Sequence, residues 1–209
     1  NSVESFLIKM GLFKKYTHVD MSKVKYLAIA VDSEEALVHT QKLLDLMRWL
    51  QVLGVKNLCL YDVEGVLKRR KDVLLLFLKN KFSECGIGND TLLKKKIHLE
   101  MLSSSDSKTA VAKAANSLFA THYLNSNAAE KKQKLTEADM ISALKEIGYK
   151  EPDPDLMFVY GPARCHLGFP PWRIRYTEIV HMGSLNSMNL GSLLKAIHRF
   201  SAVHQNYGK

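Results

Sequence analysis

The sequence has few cysteines and no long apolar run, and each absence excludes a class of protein. Cys59, Cys85 and Cys165 are the only cysteines in 209 residues, and they form no CxxC pair. This argues against a disulfide framework and against a structural zinc site. The longest apolar run, residues 73–78, is far shorter than the ~20 residues of a membrane-spanning helix. With 46% hydrophobic and 24% charged residues, the chain has a globular composition.

The chain also lacks the short motifs of common nucleotide- and metal-dependent enzymes. Neither GxxxxGK[ST] nor HExxH occurs. Gly86-Ile87-Gly88 has no third glycine and follows a predicted helix, so it does not indicate a dinucleotide site. Cys165 and His166 are adjacent, but a cysteine nucleophile needs a base placed by the fold. These motifs therefore identify no catalytic residue.

Charge of one sign dominates, since the formal net charge is +9. A basic surface suits nucleic acid, anionic lipid or phosphorylated molecules, and the alternative is a merely solvated basic face. The runs Lys68–Lys71 and Lys94–Lys96 contain no interleaved aromatic residue, unlike a surface on which single-stranded bases stack. We therefore expect no nucleic-acid partner.

Strand and helix signals alternate along the chain. Short apolar runs predict strands over residues 26–31, 57–61, 97–102, 156–160 and 174–180. Helical spacing and capping residues predict helices over residues 33–53, 73–82, 106–119, 136–148 and 189–204. Thr136 and Asp139 have the spacing of a capping signal, and Asp106 is expected to cap its own helix. This order predicts an α/β fold, a central largely parallel sheet with helices on both faces.

We expect a single domain over residues 1–209, in which residues 1–20 form a helical extension. That extension is basic and amphipathic, which fits either packing against the body or contact with a membrane surface. The chain begins at Asn1 rather than methionine. We therefore expect a fragment whose membrane anchor lies upstream.

The segment from Asp153 to Val180 contains the most specific combination of motifs. It includes Asp153-Pro154-Asp155-Leu156, Gly161-Pro162, Leu167-Gly168-Phe169-Pro170-Pro171-Trp172 and Thr177-Glu178-Ile179-Val180. With weaker matches at 26–32, 49–70 and 97–118, the chain resembles the cis-prenyltransferase family over nearly its whole length. That family contains the undecaprenyl and dehydrodolichyl diphosphate synthases. The chain more closely resembles the family's non-catalytic subunit, of the Nogo-B receptor type.

Departures from the catalytic pattern determine the function that the resemblance implies. In catalytic members the first strand leads into a D-G-N-G-R-W loop, whose glycines and arginine hold a diphosphate. Here Asp32 is followed by Ser33-Glu34-Glu35, so two carboxylates replace the phosphate-binding groups. The later arginine-containing stretch is also lost, because Val159 stands near its first arginine and Arg164 is out of pattern. We therefore expect no catalytic residue in this chain.

Asp32 and Glu178 match positions that handle substrate and Mg²⁺ in catalytic relatives. They either retain some metal binding or are structural carboxylates that cap helices or form pairs. We favour the structural role, because the surrounding glycines and arginines are absent. The resemblance thus implies no metal or cofactor on this chain and Mg²⁺ in the partner subunit.

The last residues, Asn206-Tyr207-Gly208-Lys209, resemble the family's C-terminal R-x-G tail. That tail reaches across a dimer to isopentenyl diphosphate in the neighbouring active site. The match implies that Asn206 and Gly208 bind substrate in trans, with the Asn206 amide donating in place of the arginine. The alternative is a frayed terminus. The asparagine indicates a plant-type member, for which rubber or short-chain polyprenol synthesis is a further alternative.

The implied function is that of an accessory subunit at the endoplasmic reticulum membrane, bound to a catalytic cis-prenyltransferase. The complex would make long-chain polyprenyl diphosphate, the dolichol precursor, from farnesyl and isopentenyl diphosphates. The expected interface includes Leu118, Phe119, Ile174 and Tyr176. Two alternatives remain open, an active homodimeric cis-prenyltransferase and a basic lipid- or ligand-binding module.

Overall fold

The described part of the chain is organised around one parallel β-sheet. The computed structural model describes residues 20–76, 97–124 and 134–203. Its strands are β1 (Tyr26–Val31), β2 (Asn57–Asp62), β3 (His98–Leu102), β4 (Leu156–Tyr160) and β5 (Glu178–Gly183). They lie in the order β3-β2-β1-β4-β5, and each neighbouring pair is parallel. The expected α/β fold with a parallel sheet is thus confirmed.

Helices connect and cover the strands. They are α1 (Ser33–Val38), α2 (Thr40–Val52), α3 (Val66–Arg69), α4 (Lys108–Phe119), α5 (Glu137–Glu146) and α6 (Leu190–Ala202). Residues 71–76 are also helical, and the rest of the helix predicted over 73–82 lies outside the described residues. Within the described residues, no helix combines the length and the apolar character needed to cross a membrane.

The sheet is buried on both faces, because alternate residues of each strand point in opposite directions. On the first face, side chains of β1, β2 and β4 pack against α2 and α6. Members of this cluster are Leu27, Ile29, Leu58, Phe158, Leu43, Met47, Leu193 and Ile197. The second face carries Tyr26, Ala28, Cys59, Tyr61, Met157 and Phe169. Tyr149 packs against both this second cluster and the one joining α4 to α5.

The helix predicted over residues 33–53 is two helices, separated at His39. His39 has φ −109° and ψ 33°, outside the helical range. The Thr40 hydroxyl donates to the Ala36 carbonyl at 2.9 Å and to the Leu37 carbonyl at 3.1 Å. These side-chain bonds satisfy carbonyls at the end of α1 and so allow the chain to turn before α2.

The strand predicted over residues 174–180 is wrong for its first half. Ile174 ends a 3₁₀ turn at Pro171–Arg173, and β5 begins only at Glu178. The Thr177 hydroxyl donates to the Pro154 carbonyl at 2.6 Å. Local bonds of this kind and the preceding prolines favour a turn, although the apolar alternation fits a strand.

Candidate functional site

The carboxyl ends of β1, β2 and β4 meet at one edge of the sheet, where open α/β folds usually bind ligands. Asp32 directly follows β1, Asp62 ends β2 and Gly161 follows β4. The backbones approach so closely that a Cβ on Gly161 would lie 3.3 Å from the Asp32 Cβ. We call this the carboxyl edge. It is the edge to which the resemblance assigns the diphosphate of catalytic relatives.

Asp32 caps its own helix at the carboxyl edge. Its Oδ1 accepts hydrogen bonds from the amides of Glu34 at 3.1 Å and Glu35 at 3.3 Å. Those are the N–H groups that a helix N-terminus would otherwise present to an anion. The Asp32 carboxylate therefore occupies the position of the ligand charge that a catalytic loop would bind.

Asp62 is fully buried beside Asp32 and is also satisfied by the protein. The Ser33 hydroxyl donates to its Oδ2 at 3.1 Å, while the amides of Val66 and Leu67 donate at 2.8 and 3.0 Å. Ser33 Oγ in turn accepts from the Glu64 amide at 3.1 Å. The serine that replaces the first family glycine thus joins the ends of β1 and β2.

Asp106 organises the end of β3 rather than capping α4, which corrects the sequence-based expectation. Its Oδ2 accepts the Ser103 amide at 2.9 Å, so it belongs to the capping box of a 3₁₀ turn at Ser104–Asp106. Lys68 pairs with it at 2.7 Å, and the Tyr149 hydroxyl donates to it at 2.9 Å. Burial alone would raise the pKa of Asp106, but these hydrogen bonds outweigh burial and hold the pKa below its usual value.

Further carboxylates surround the start of α1. Glu34 is exposed, and the Glu35 carboxylate accepts the Leu185 amide. A diphosphate at this place would meet like charge, and the amides closest to it already bind Asp32. The carboxyl edge can therefore bind its own backbone well, but it is poorly suited to a phosphorylated substrate.

The structure does not bring Asp32 and Glu178 together. Asp32 follows the carboxyl end of β1, whereas Glu178 is the first residue of β5 and pairs with Leu156 at the start of β4. About five strand residues at ~3.3 Å each therefore separate them along the sheet. The described ranges hold no cluster of three or more His, Cys, Asp or Glu side chains that could bind a metal ion.

A buried ion pair on the second face of the sheet was not found from the sequence. Arg173, 2% exposed, donates to Glu100 at 2.8 Å, and the Tyr26 hydroxyl donates to the same carboxylate. Burial raises the pKa of Tyr26, and the nearby Cys59 and Glu100 add to that rise. Glu100 stands alone in an apolar strand, and a lone buried charge requires a partner. That signal could have indicated the pair, although not its partner.

The expected interface residues differ in their surroundings. Phe119 is 52% exposed and stacks on Tyr123 with ring centroids 5.3 Å apart, and Tyr176 is 56% exposed. Leu118 packs partly against the cluster that joins α4 to α5, and Ile174 packs against the second face. Phe119 and Tyr176 are therefore available to a partner, whereas Leu118 and Ile174 also support the fold.

Several sequence-based expectations fall on residues that the structure does not describe. These are the extension at 1–19 and the tail with Asn206 and Gly208. The tail's role in trans therefore stays a prediction.

Comparison with solved structures identifies the class of fold. Lavandulyl diphosphate synthase from Lavandula x intermedia superposes with a TM-score of 0.59 at 16% identity, covering 91% of this chain and 100% of that one. A probable undecaprenyl diphosphate synthase from Campylobacter jejuni gives a TM-score of 0.53 at 19% identity, covering 89% and 99%. The fold is that of the cis-prenyltransferases.

Curated relatives confirm the more specific resemblance to the accessory subunit. The chain is 28% identical over 182 residues to dehydrodolichyl diphosphate synthase complex subunit NUS1 of Homo sapiens, covering 78% of this chain and 59% of that protein. The NUS1 subunit of Saccharomyces cerevisiae is 21% identical over 203 residues, covering 79% and 52%. The chain thus spans a little over half the length of these relatives. No family model matches it.

Proposed function

We propose that this chain is the non-catalytic accessory subunit of a heteromeric cis-prenyltransferase. The complex makes long-chain polyprenyl diphosphate, the dolichol precursor, from farnesyl and isopentenyl diphosphates. The relatives are named as subunits of a dehydrodolichyl diphosphate synthase complex, which supports a role within an assembly. The plant-type assignment stays a prediction.

The observation that carries the proposal is the capping of α1 by Asp32. Diphosphate binding at this position needs free backbone N–H groups and a cation. Asp32 instead accepts the amides of Glu34 and Glu35. Transfer chemistry, with its Mg²⁺, is therefore assigned to the partner, a catalytic cis-prenyltransferase subunit.

This chain then contributes a folded surface and its C-terminal tail. Exposed Phe119 and Tyr176 supply aromatic contacts of the kind enriched in interfaces. An obligate interface of this type buries on the order of 2,000 Å² or more. In the proposal, Asn206 and Gly208 extend from that interface to the partner's isopentenyl diphosphate. The complex acts at the endoplasmic reticulum membrane.

The direct test is a turnover assay with farnesyl and isopentenyl diphosphates. We expect no product from the isolated chain and faster product formation when it is added to the catalytic subunit. Heat-denatured chain serves as the control for the addition. Turnover by the isolated chain that disappears in Asp32→Ala would contradict the proposal and support an active homodimer.

A second measurement addresses the lipid-binding alternative. Flotation with anionic liposomes at low and high salt detects purely electrostatic attachment, which fades with screening. Salt-sensitive flotation together with failure to bind the catalytic subunit would favour a lipid-binding module.

A further inference from the structure

A concave groove lies between the edge strand β5 and helix α6. Its cavity volume is about 460 Å³. One wall is β5, through residues 178–182, and the other is a stripe of α6. Besides β5, its lining residues are Arg164, Ser192, Lys195, Ala196 and Arg199. Neither wall belongs to the carboxyl-edge network of Asp32, Asp62 and Asp106.

The groove is basic. Arg164, Lys195 and Arg199 contribute three positive charges, against one negative charge from Glu178. Arg164 and Arg199 are exposed, and Lys195 is half-buried. A concave surface with this imbalance attracts an acidic partner and repels a basic one.

The β5 wall is also an edge that can accept another strand. β5 pairs with β4 on one side, and among the described residues no strand pairs with its other side. Its sequence, Glu-Ile-Val-His-Met-Gly, contains none of the proline, lysine or arginine residues that often protect sheet edges. Ile179 is 39% exposed on this strand. Backbone groups of such an edge can hydrogen-bond to an added extended segment.

We propose that this groove binds an extended acidic segment of the catalytic subunit, which adds to the sheet beside β5. Carboxylates of that segment face Arg164, Lys195 and Arg199, while its backbone pairs with residues 178–182. This inference rests on the proposed function and deepens it by naming the chemistry of the partner segment. An extended segment fits better than a small anion, because it uses both the charges and the strand edge.

Hydrogen exchange of the wild-type chain, free and in complex with the catalytic subunit, tests the added strand. We expect amide exchange within residues 179–182 to slow by about 10-fold or more on complex formation. Buried β1 serves as an internal reference whose exchange stays unchanged. A stable complex with no added protection in β5 would overturn the proposal.

Charge reversal tests the acidic character of the segment. Lys195→Glu combined with Arg199→Glu should weaken binding to the catalytic subunit by about 10- to 100-fold at low salt, and less at high salt. The matched control, Lys108→Glu with Lys113→Glu, changes charge equally at exposed positions of α4. The control should bind within about 3-fold of wild type. Equal weakening by both double variants would reject the groove.

The outcomes separate this inference from the proposed function. If the wild-type chain does not bind the catalytic subunit at all, both fail together. If it binds and stimulates turnover, but β5 and the groove charges are indifferent, only the groove assignment fails. Concentration-dependent protection of β5 in the free chain would assign the edge to a second copy of the chain and also overturn the proposal.

Discussion

Arg173 and Glu100 form a buried ion pair between the turn before β5 and the edge strand β3. Nη1 of Arg173 lies 2.9 and 2.8 Å from the two carboxylate oxygens, and Nη2 donates to the Pro152 carbonyl at 2.8 Å. Burial would lower the pKa of Arg173, but the Glu100 charge outweighs burial and raises it. The pair therefore fixes the turn at 171–173 onto the second face of the sheet.

Removing one partner of this pair should destabilise the protein strongly. We expect Arg173→Met to reduce the free energy of unfolding by about 3–5 kcal/mol, because Glu100 is left buried and uncompensated. Urea denaturation followed by circular dichroism measures the change. The control is Arg48→Met, which removes an ion pair between partly exposed side chains at 3.1 Å and should cost under about 1 kcal/mol. Equal losses in the two variants would contradict the assigned role.

Asp106 should make stability depend on pH in the acid range. Its pKa is lowered in the folded state, so its stabilising contribution is present above the unfolded pKa of about 4. The contribution is lost as the pH falls through the lower, folded pKa. Asp106→Asn should therefore be less stable than wild type at pH 7, by about 1 kcal/mol after solvent screening. The gap should close below about pH 4.

Thermal unfolding of wild type and Asp106→Asn from pH 3 to 7 measures this gap. The exposed Asp72→Asn provides the control, because it removes a carboxylate without such partners in its surroundings. A gap that stays constant over the whole range would show that the loss comes from packing rather than from ionisation.

Asp32 should behave as a helix cap rather than as a catalytic group. We expect Asp32→Ala to cost about 1 kcal/mol of stability and Asp32→Asn to cost little, because asparagine caps nearly as well. Asp32→Asn should leave turnover of the complex with the catalytic subunit unchanged. A large fall in turnover with unchanged stability would instead assign Asp32 to the chemistry.

Adjacent residues at the end of α4 should separate binding from folding. Phe119→Asp should weaken binding to the catalytic subunit and leave the circular dichroism spectrum unchanged, since the side chain is 52% exposed. Leu118→Asp should lower the melting temperature, because Leu118 packs between α4 and α5. Full binding by a folded Phe119→Asp variant would remove this end of α4 from the interface.

Deleting residues 206–209 should leave the complex assembled but slow. Two charge-assisted hydrogen bonds to phosphate, each worth roughly 1.5–3 kcal/mol, would be lost. We expect kcat/KM for isopentenyl diphosphate to fall about 10- to 100-fold. Asn206→Arg should preserve or raise activity, because it restores a positive charge. A wild-type rate at sub-saturating isopentenyl diphosphate would show that the tail is only a frayed end.

Elements with a strong local signal were predictable. β1 and β4 have the predicted bounds, because continuous apolar runs are typical of strands buried on both faces. The capping box at the start of α5 also formed as its spacing indicated, with Thr136 accepting from the Asp139 amide. In each case the information lies within a few neighbouring residues.

Elements that depend on distant contacts were not predictable. The alternation over 174–180 favours a strand, yet Thr177 bonds to Pro154 and Arg173 to Glu100, so the first half is a turn. Asp106 looks like a cap for α4, but Ser103, Lys68 and Tyr149 draw its carboxylate to the end of β3. A local pattern cannot show such partners, because they come together only in the fold.

The sequence by itself determined the order of strands and helices and the loss of the phosphate-binding loop, since both are properties of contiguous residues. Only the tertiary structure decided how the remaining polar groups are used. It made Asp32 a cap and set Glu178 at the opposite end of the sheet. It also left β5 as an edge beside the basic stripe of α6. The physical reason is that strand order and register, rather than chain neighbours, determine which distant side chains meet.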